Sequence, residues 1–570
     1  MLEFVLFVIS GAAYGFYFDL NPLESVLVGM VLLCVFRGWA PRSSLTGAWR
    51  LWVRLAYRRK TAVAAVFLLG MVGRGALLVW LPVPRPAIAD EFSHLLVADT
   101  LTHGRLTNPT HPEWEHFESI HIIQKPTYNS DYFPGQGALL ALGELAGHPW
   151  IAVLVVCAAM SAAVCWMLQA WVAPSWALLA GVLAVLRFGI ASYWINGYYG
   201  GELAALGGAL ALGALPRLLK KPSVAMSVLL GVGVVLIGYT RAFEGLAVSV
   251  PVLAWLAIAA LKKQSPLWTP LPALAVIIAG IAGLLVYSRA VTGDPLRPPY
   301  AVNQATYGWP MTLPWFHPPE VHLRHVELQR YYDYERSVHD SSSTLLGELK
   351  LSTAKAQGIW RFYFGPALTI PLVMLPAVWR SRRVRMLAVC GGLTVLASLI
   401  ETGTSPHYAA AATGCFLGVL AECFRRLRRV RRAGRPAGLQ LAVAAPLIVM
   451  LIVGVRIGLE NFGLLYTQAT NFQSWCCVPE GNPNKARVTG MLEAKGGRHL
   501  VIVKPKTDPN NLFQWIYNAA DIDDSAVVWA RDMGAEKNRA LVEYFRGRQI
   551  WLLDPNAEPA SIVPFSQADQ

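Results

Sequence analysis

ADEFSHLLVADTLTHGRL, residues Ala89–Leu106, sets an acidic pair, Asp90 and Glu91, a few residues beyond a hydrophobic segment that ends at Pro82. From Glu91 onward the apolar residues Phe92, Leu95, Leu96 and Leu101 recur at helical spacing, so the stretch reads as an amphipathic helix lying on a bilayer surface. Such a helix holds both carboxylates at one depth, at the membrane edge. Their plainest role is capping, because the first turn of a helix carries unpaired N–H groups and the positive end of the dipole. The other role is chemistry, and the rest of the chain bears on the choice.

Composition sets the broad class. The chain has 570 residues, 55% of them hydrophobic and 15% charged, with a mean hydropathy of +0.41; soluble domains carry roughly 25% charged residues. It reads as an integral membrane protein. The net charge of +14 does not point to nucleic acid, since the basic residues fall in short runs between apolar segments, which is how membrane orientation is encoded. The eight cysteines form no CxxC or zinc-finger spacing, and only Cys476 and Cys477 lie in polar sequence, so neither a disulfide framework nor a structural zinc follows. The opening MLEFVLFVIS has an acidic Glu3 and no basic n-region, and reads as an uncleaved membrane segment.

Two apolar stretches, Phe4–Phe18 and Ser25–Phe36, are each shorter than the roughly 20 residues a bilayer needs and read as a tight hairpin. Arg37, Arg42, Arg50, Arg54, Arg58, Arg59 and Lys60 follow with no acid among them, which places that loop in the cytoplasm. Ala62–Pro82 then runs outward and delivers Asp90 and Glu91 to the outer face. The stretch from Val83 to His148 carries three basic residues against eight acids, the balance of an outer loop. Within it, Gly135–Gly147 is too short to cross and reads as a second surface helix; a crossing there would invert every later basic loop.

Further spans are expected at Trp150–Val172, Pro174–Ser192, Gly197–Pro216, Ser223–Tyr239, Ala242–Leu261, Leu271–Tyr287, Phe362–Trp379, Met386–Ile400, Ser405–Leu420 and Leu439–Val455, thirteen in all. Arg217, Lys220, Lys221, Lys262, Lys263 and the arginine runs beginning at Arg380 and Arg425 then fall inside. From about Leu459 the chain reads as an outer soluble domain, with strands at Leu500–Val503, Ala526–Trp529 and Ile550–Leu553 and a helix between the last two, a βαβ-type unit. The expected divisions are an N-terminal hairpin (1–37), a basic cytoplasmic loop (38–61), a transmembrane domain (62–458) with outer loops at 83–149 and 288–361, and an α/β domain (459–570).

With this topology all twelve histidines fall on the outer side, six of them between His94 and His148. Arg187, Glu202, Arg241, Glu244, Arg289 and Glu401 also sit near outer ends of spans, where a charge either faces a polar cavity or snorkels to the headgroups. Arg74 alone lies near mid-span.

A span, an acidic pair, a surface helix and a Lys-Pro or Pro-Gly turn leading to another surface helix resemble the first outer loop of the GT-C membrane glycosyltransferases, in particular the protein O-mannosyltransferases and the lipid A aminoarabinose transferases. The residues that carry it are DEFSHLLVADTLTHGRLTNPTHP from Asp90 and QKPTYNSDYFPGQGALLALGELAG from Gln124. SYWINGYYGG, GYTRAFEG, AVTGDPLRPPY and SPHYAA are similar to outer-edge segments of uncharacterised bacterial members. A KPP-type turn is split here into Lys125-Pro126 and Pro134-Gly135. The resemblance covers roughly Ala62 to Leu420 and implies a GT-C-like fold in a bacterial inner membrane, with the active site on the periplasmic side.

It also implies a reaction: a sugar passes from a polyprenyl-phosphate donor to an acceptor hydroxyl on a glycan, lipid or protein. Asp90 would take the proton and Glu91 would orient substrate or share a metal. Lys125, Arg187, Arg241, His407 and Tyr408 would hold the donor phosphate, with His94, Glu202 and Glu244 in support. In-line attack would invert the anomeric centre. The candidate ligands for a divalent metal are His116, Glu118 and His121, which are closely spaced in one loop, or His322 and His325, one helical turn apart; the ordinary readings are interfacial polar side chains and a solvated helix face. The C-terminal domain shows no nucleophile motif or Gly-rich loop and reads as acceptor recognition or scaffolding. A transporter or lipid flippase is the alternative. Such proteins show repeats and mid-membrane charges, whereas here no repeat is visible and the charges crowd one face.

Overall fold

The computed structural model describes residues 20–38, 46–310, 313–462, 473–476, 481–507 and 514–565. The expected first segment, Phe4–Phe18, lies outside them, as does Cys477. Seven helices among the described residues are long and apolar enough to cross a membrane: Arg59–Val79, Pro149–Leu168, Glu202–Lys220, Ala242–Leu261, Leu271–Thr292, Pro406–Leu427 and Ala437–Leu459. Shorter apolar helices run at Pro174–Phe188, Val224–Gly238 and Val384–Ile400, and Asn21–Arg37 covers the second N-terminal segment. The chain is an α-helical polytopic membrane protein with a small C-terminal α/β domain.

Pro149–Leu168 has no apolar stripe; it is hydrophobic all round and mostly buried, as expected of a helix surrounded by others. It packs against Arg59–Ala76, Pro174–Phe188 and Glu202–Lys220. Small residues set the closest approaches, as in membrane bundles generally. A Cβ on Gly208 would lie 1.9 Å from the Ala411 carbonyl oxygen and one on Gly207 2.7 Å from that of Gly233. Arg74 faces neither lipid nor an acid. Its guanidinium donates to the carbonyls of Leu81 and Pro82 and to Asn196 Oδ1, at 2.7, 3.2 and 2.8 Å, and so ties down the chain where the span ends.

One expected span is corrected. Phe362–Trp379 is broken into the end of Leu345–Tyr363 and the short helices Gly365–Leu372 and Leu375–Val378. Gly365 stands at φ +62, in the left-handed region that favours glycine, and Pro366 and Pro371 remove backbone donors. The surface-helix reading of the acidic stretch is corrected too. Ala89–Thr102 is a helix, but Glu91, Ser93, His94, Leu96, Val97, Ala98 and Thr100 are all buried, because the helix Gly135–Leu145, the neighbouring loops and the C-terminal domain cover it. Gly135–Leu145 does expose Leu142 and Leu145.

The C-terminal sheet is built from β1 (His499–Val503), β2 (Val527–Arg531) and β3 (Gln549–Asp554), which are parallel, and β4 (Ser561–Pro564), antiparallel at the edge, in the order β2-β1-β3-β4. The expected strands and the helix Ala535–Tyr544 are present; β4 and the helix Pro483–Lys495 are additions. Alternation along β1 explains its full burial. Val501 and Val503 pack with Val488 and Leu492 of Pro483–Lys495, while Leu500 and Ile502 pack with Phe117, Ile120 and Tyr128 of the 83–149 segment and Tyr332 of the 288–361 segment. The domain's second face is therefore the floor of the segment that carries Asp90 and Glu91.

Candidate functional site

Asp90 and Glu91 divide the roles that one short motif combines. Glu91 Oε2 accepts from the amides of Ala87 and Ile88 at 2.7 and 3.2 Å, and Oε1 from the amide of Tyr198 at 3.1 Å. It is the cap, and it also pins the 192–201 segment to the helix. Burial pushes its carboxyl up to about 7, against the pull of these three donors. Asp90 is partly exposed and accepts one hydrogen bond from a side chain, Tyr132 Oη at 2.7 Å. His94, one turn on, lies against the Tyr132 ring, 4.7 Å between centroids. Burial pushes it down to about 3, and Asp90, Arg241 and His121 all act on it, so it is a neutral imidazole at neutral pH.

Arg241 stands at the start of Ala242–Leu261. Its guanidinium meets His407 Nε2 and lies over the Tyr408 ring, 4.3 Å to the centroid. A guanidinium only donates, so His407 Nε2 accepts and its proton sits on Nδ1, facing Tyr193 Oη at 3.0 Å. His407 is thus a holder of Arg241 and adds no charge of its own. Glu244, one turn from Arg241, meets the side chain of Glu401. Asp90 and Arg241 are both within electrostatic reach of Tyr408 and of His94, which puts the acid and the cation in one neighbourhood.

Other expected residues lie elsewhere. Arg187 is buried on Pro174–Phe188, donates to the carbonyls of Phe362 and Arg361, and covers Trp475 at 3.8 Å; it clamps the broken helix. Lys125 is exposed and stacks on Trp114 at 4.2 Å. Glu202 accepts from Gln136 Nε2 at 2.8 Å and braces the Gly135–Leu145 helix behind the cleft.

The metal reading of His116, Glu118 and His121 is corrected, because their side chains diverge. His116 Nδ1 faces the Arg531 carbonyl at 2.8 Å; Glu118 meets Tyr307, Arg324 and His325; His121 meets Asp131 and Tyr331. His325 is spent on Glu118 and the Glu115 carbonyl, so the pair it forms with His322 in sequence has no third ligand. Among the described residues no three His, Cys, Asp or Glu side chains converge on one point.

Sequence reasoning missed the aromatic wall. Tyr132 meets Tyr300 edge-on at 5.7 Å, and Tyr300 stacks on Trp309 at 5.9 Å. Glu335, on Val326–Ser342, is pushed up to about 7 by burial and lies in electrostatic reach of His121 and Asp90. The available signal was the density of aromatic residues in DYFPG and in the 288–361 loop.

No protein-family model and no curated protein sequence matches the chain. Solved membrane-protein structures are similar to it. The Archaeoglobus fulgidus oligosaccharyltransferase in complex with zinc and sulfate aligns over 86% of this chain and 67% of its own, at 11% identity and a TM-score of 0.45. The archaeal oligosaccharyltransferase AglB from the same organism, in complex with an inhibitory peptide and a dolichol-phosphate, aligns over 90% and 70%, at 10% identity and a TM-score of 0.42. ArnT from Cupriavidus metallidurans bound to undecaprenyl phosphate aligns over 90% and 93%, at 11% identity and a TM-score of 0.45.

Proposed function

We propose that the protein is a GT-C-type glycosyltransferase that moves a sugar from a polyprenyl-phosphate donor to an acceptor hydroxyl at the outer face of the membrane, with inversion. The observation that carries the reading is that a partly exposed carboxylate, Asp90, held by Tyr132, and a guanidinium, Arg241, braced by His407 and Tyr408, share His94 and Tyr408 as electrostatic neighbours. Glycosyl transfer from a lipid phosphate needs one base and one cation. Asp90 takes the acceptor's proton as its oxygen attacks the anomeric carbon, a contribution of roughly 10² to 10⁴ in rate. The bond to the phosphate oxygen breaks on the opposite face, and its electron pair leaves with the polyprenyl phosphate. Arg241 offsets that charge where water is scarce, which is where such stabilisation is strongest.

Tyr132 holds Asp90 in place, Glu91 sets the helix that presents it, and His407 and Tyr408 keep Arg241 in register. Tyr300, partly exposed and backed by the buried Trp309, offers a flat apolar face suited to a sugar ring. Purified protein incubated with labelled polyprenyl-phosphate sugars should release polyprenyl phosphate in the presence of an acceptor, and Asp90→Asn should not. Release of nothing from any such donor would remove the reading in favour of transport.

A further inference from the structure

His121 is buried, its side chain 3% exposed, and its backbone is held at φ +61, a left-handed conformation that is uncommon outside glycine and clusters where a side chain has to be aimed. Its carbonyl accepts from Ser93 Oγ at 2.7 Å and from the Asp131 amide at 3.2 Å, so the turn is stapled to the helix that carries Asp90. The ring is bracketed on both nitrogens: Nδ1 faces Asp131 Oδ2 at 3.0 Å and Nε2 faces Tyr331 Oη at 3.2 Å. Asn303 Nδ2 donates to the same Asp131 oxygen at 2.7 Å, and the rings of Tyr132 and Trp309 close over His121 at 5.1 and 4.8 Å.

The groups that face this imidazole are Asp131 from its own loop, Asp90 and His94 from Ala89–Thr102, and Tyr331 and Glu335 from Val326–Ser342. Burial pulls His121 down, but Asp131, helped by Asp90 and Glu335, more than offsets it and leaves the group above its ordinary value. The protonation state sets the polarity of Tyr331. When His121 is charged, Nε2 donates to Tyr331 and the phenolic proton points away; when it is neutral with its proton on Nδ1, Nε2 accepts and that outward proton is lost. Tyr331 also lies in electrostatic reach of Asp90.

We propose that Tyr331 is an acceptor-positioning residue: polarised by the Asp131–His121 pair, its hydroxyl donates to a second oxygen of the acceptor and seats the neighbouring hydroxyl against Asp90. The acceptor class is then a polyhydroxylated, glycan-type molecule with vicinal oxygens and not a simple alcohol. This rests on the glycosyl-transfer reading.

The test uses the full chain in nanodiscs, a polyprenyl-phosphate-linked sugar as donor, and two acceptor probes, octyl glucoside and 1-octanol. The wild-type protein should prefer the glucoside. Tyr331→Phe keeps the ring and removes one hydroxyl; it should raise the glucoside KM by about tenfold, the scale of one hydrogen bond, with donor KM unchanged and the preference over octanol lost. Raising the pH should raise the glucoside KM of the wild-type protein and not that of the variant. In protein labelled with ¹³Cε1-histidine, the resonance missing from His121→Gln should titrate above 6.5 and move down in Asp131→Asn. A Tyr331→Phe enzyme with unchanged glucoside KM, or a His121 midpoint below 6.5, would overturn the inference and leave the glycosyl-transfer reading standing. A wild-type protein that transfers nothing would remove that reading and the inference together.

Discussion

Phe92 and Tyr517 stack face to face, ring centroids 4.5 Å apart and planes 9° from parallel, so the C-terminal domain bears on the helix two residues after Asp90. Tyr517 Oη donates to the Ile120 carbonyl at 2.7 Å, and Lys485 Nζ lies over the Phe92 ring, 4.5 Å from its centroid. Tyr517→Ala should cost about 3 to 5 kcal/mol, the range for truncating a buried aromatic, and should lower turnover through the misplaced helix. Tyr517→Phe should lose about 1 kcal/mol and keep most activity. Thermal unfolding and transfer assays on the two variants separate the ring from the hydroxyl; equal stability of Tyr517→Ala and wild type would show that the domain does not brace the helix.

Asp90→Asn preserves shape and leaves Glu91 to cap the helix, so folding and donor binding should persist while transfer drops by roughly 10² to 10⁴. Near-normal turnover by Asp90→Asn would take the base role away from it.

Arg241→Ala should raise the donor dissociation constant and slow turnover, with the fold intact. Arg241→Lys should recover only part, because an ammonium has no planar fork to hold His407 and a phosphate together. Isothermal titration with polyprenyl phosphate measures this directly, and unchanged affinity in the alanine variant would rule out the clamp.

Glu91 makes stability depend on pH in a stated direction. Its carboxyl is raised in the folded protein from 4.5 to about 7, so the folded state binds that proton more tightly than the unfolded chain. Its contribution is present below 4.5 and is lost as pH rises towards 7, by at most about 3 kcal/mol. Glu91→Gln cannot titrate, so the difference in unfolding midpoint between wild type and Glu91→Gln should shift against the wild type across that window. A difference independent of pH would contradict the burial of this carboxylate.

Orientation is tested by thiol labelling in intact cells. A cysteine at Glu493, exposed on the C-terminal domain, should react with an impermeant reagent, and one at Lys262 should not. The reverse pattern would move the cleft to the cytoplasmic face.

Much of this protein is legible in its residues one segment at a time. Apolar length marks Pro149–Leu168 and Leu271–Thr292 as helices fit to cross a bilayer, and the runs LVIV, AVVW and IWLL mark three of the four C-terminal strands. Transfer free energy and side-chain periodicity act within a segment, so local sequence carries them. The break at Gly365 was hidden because a hydropathy window averages over one left-handed residue and two prolines.

Which polar residues meet is another matter. His116, Glu118 and His121 are neighbours in the chain, yet they point to three separate sets of partners, while Arg241 and His407 are 166 positions apart and touch. Glu91 and Asp90 are adjacent, and only packing against the 192–201 segment turns one into a buried cap and leaves the other in the cleft. The sequence by itself determined the class of the protein, its helices and strands, and the acidic stretch at the edge of the membrane. The tertiary structure decided the rest, because hydrogen bonds and charge pairs between distant segments depend on how helices and loops pack, and spacing along the chain does not encode that.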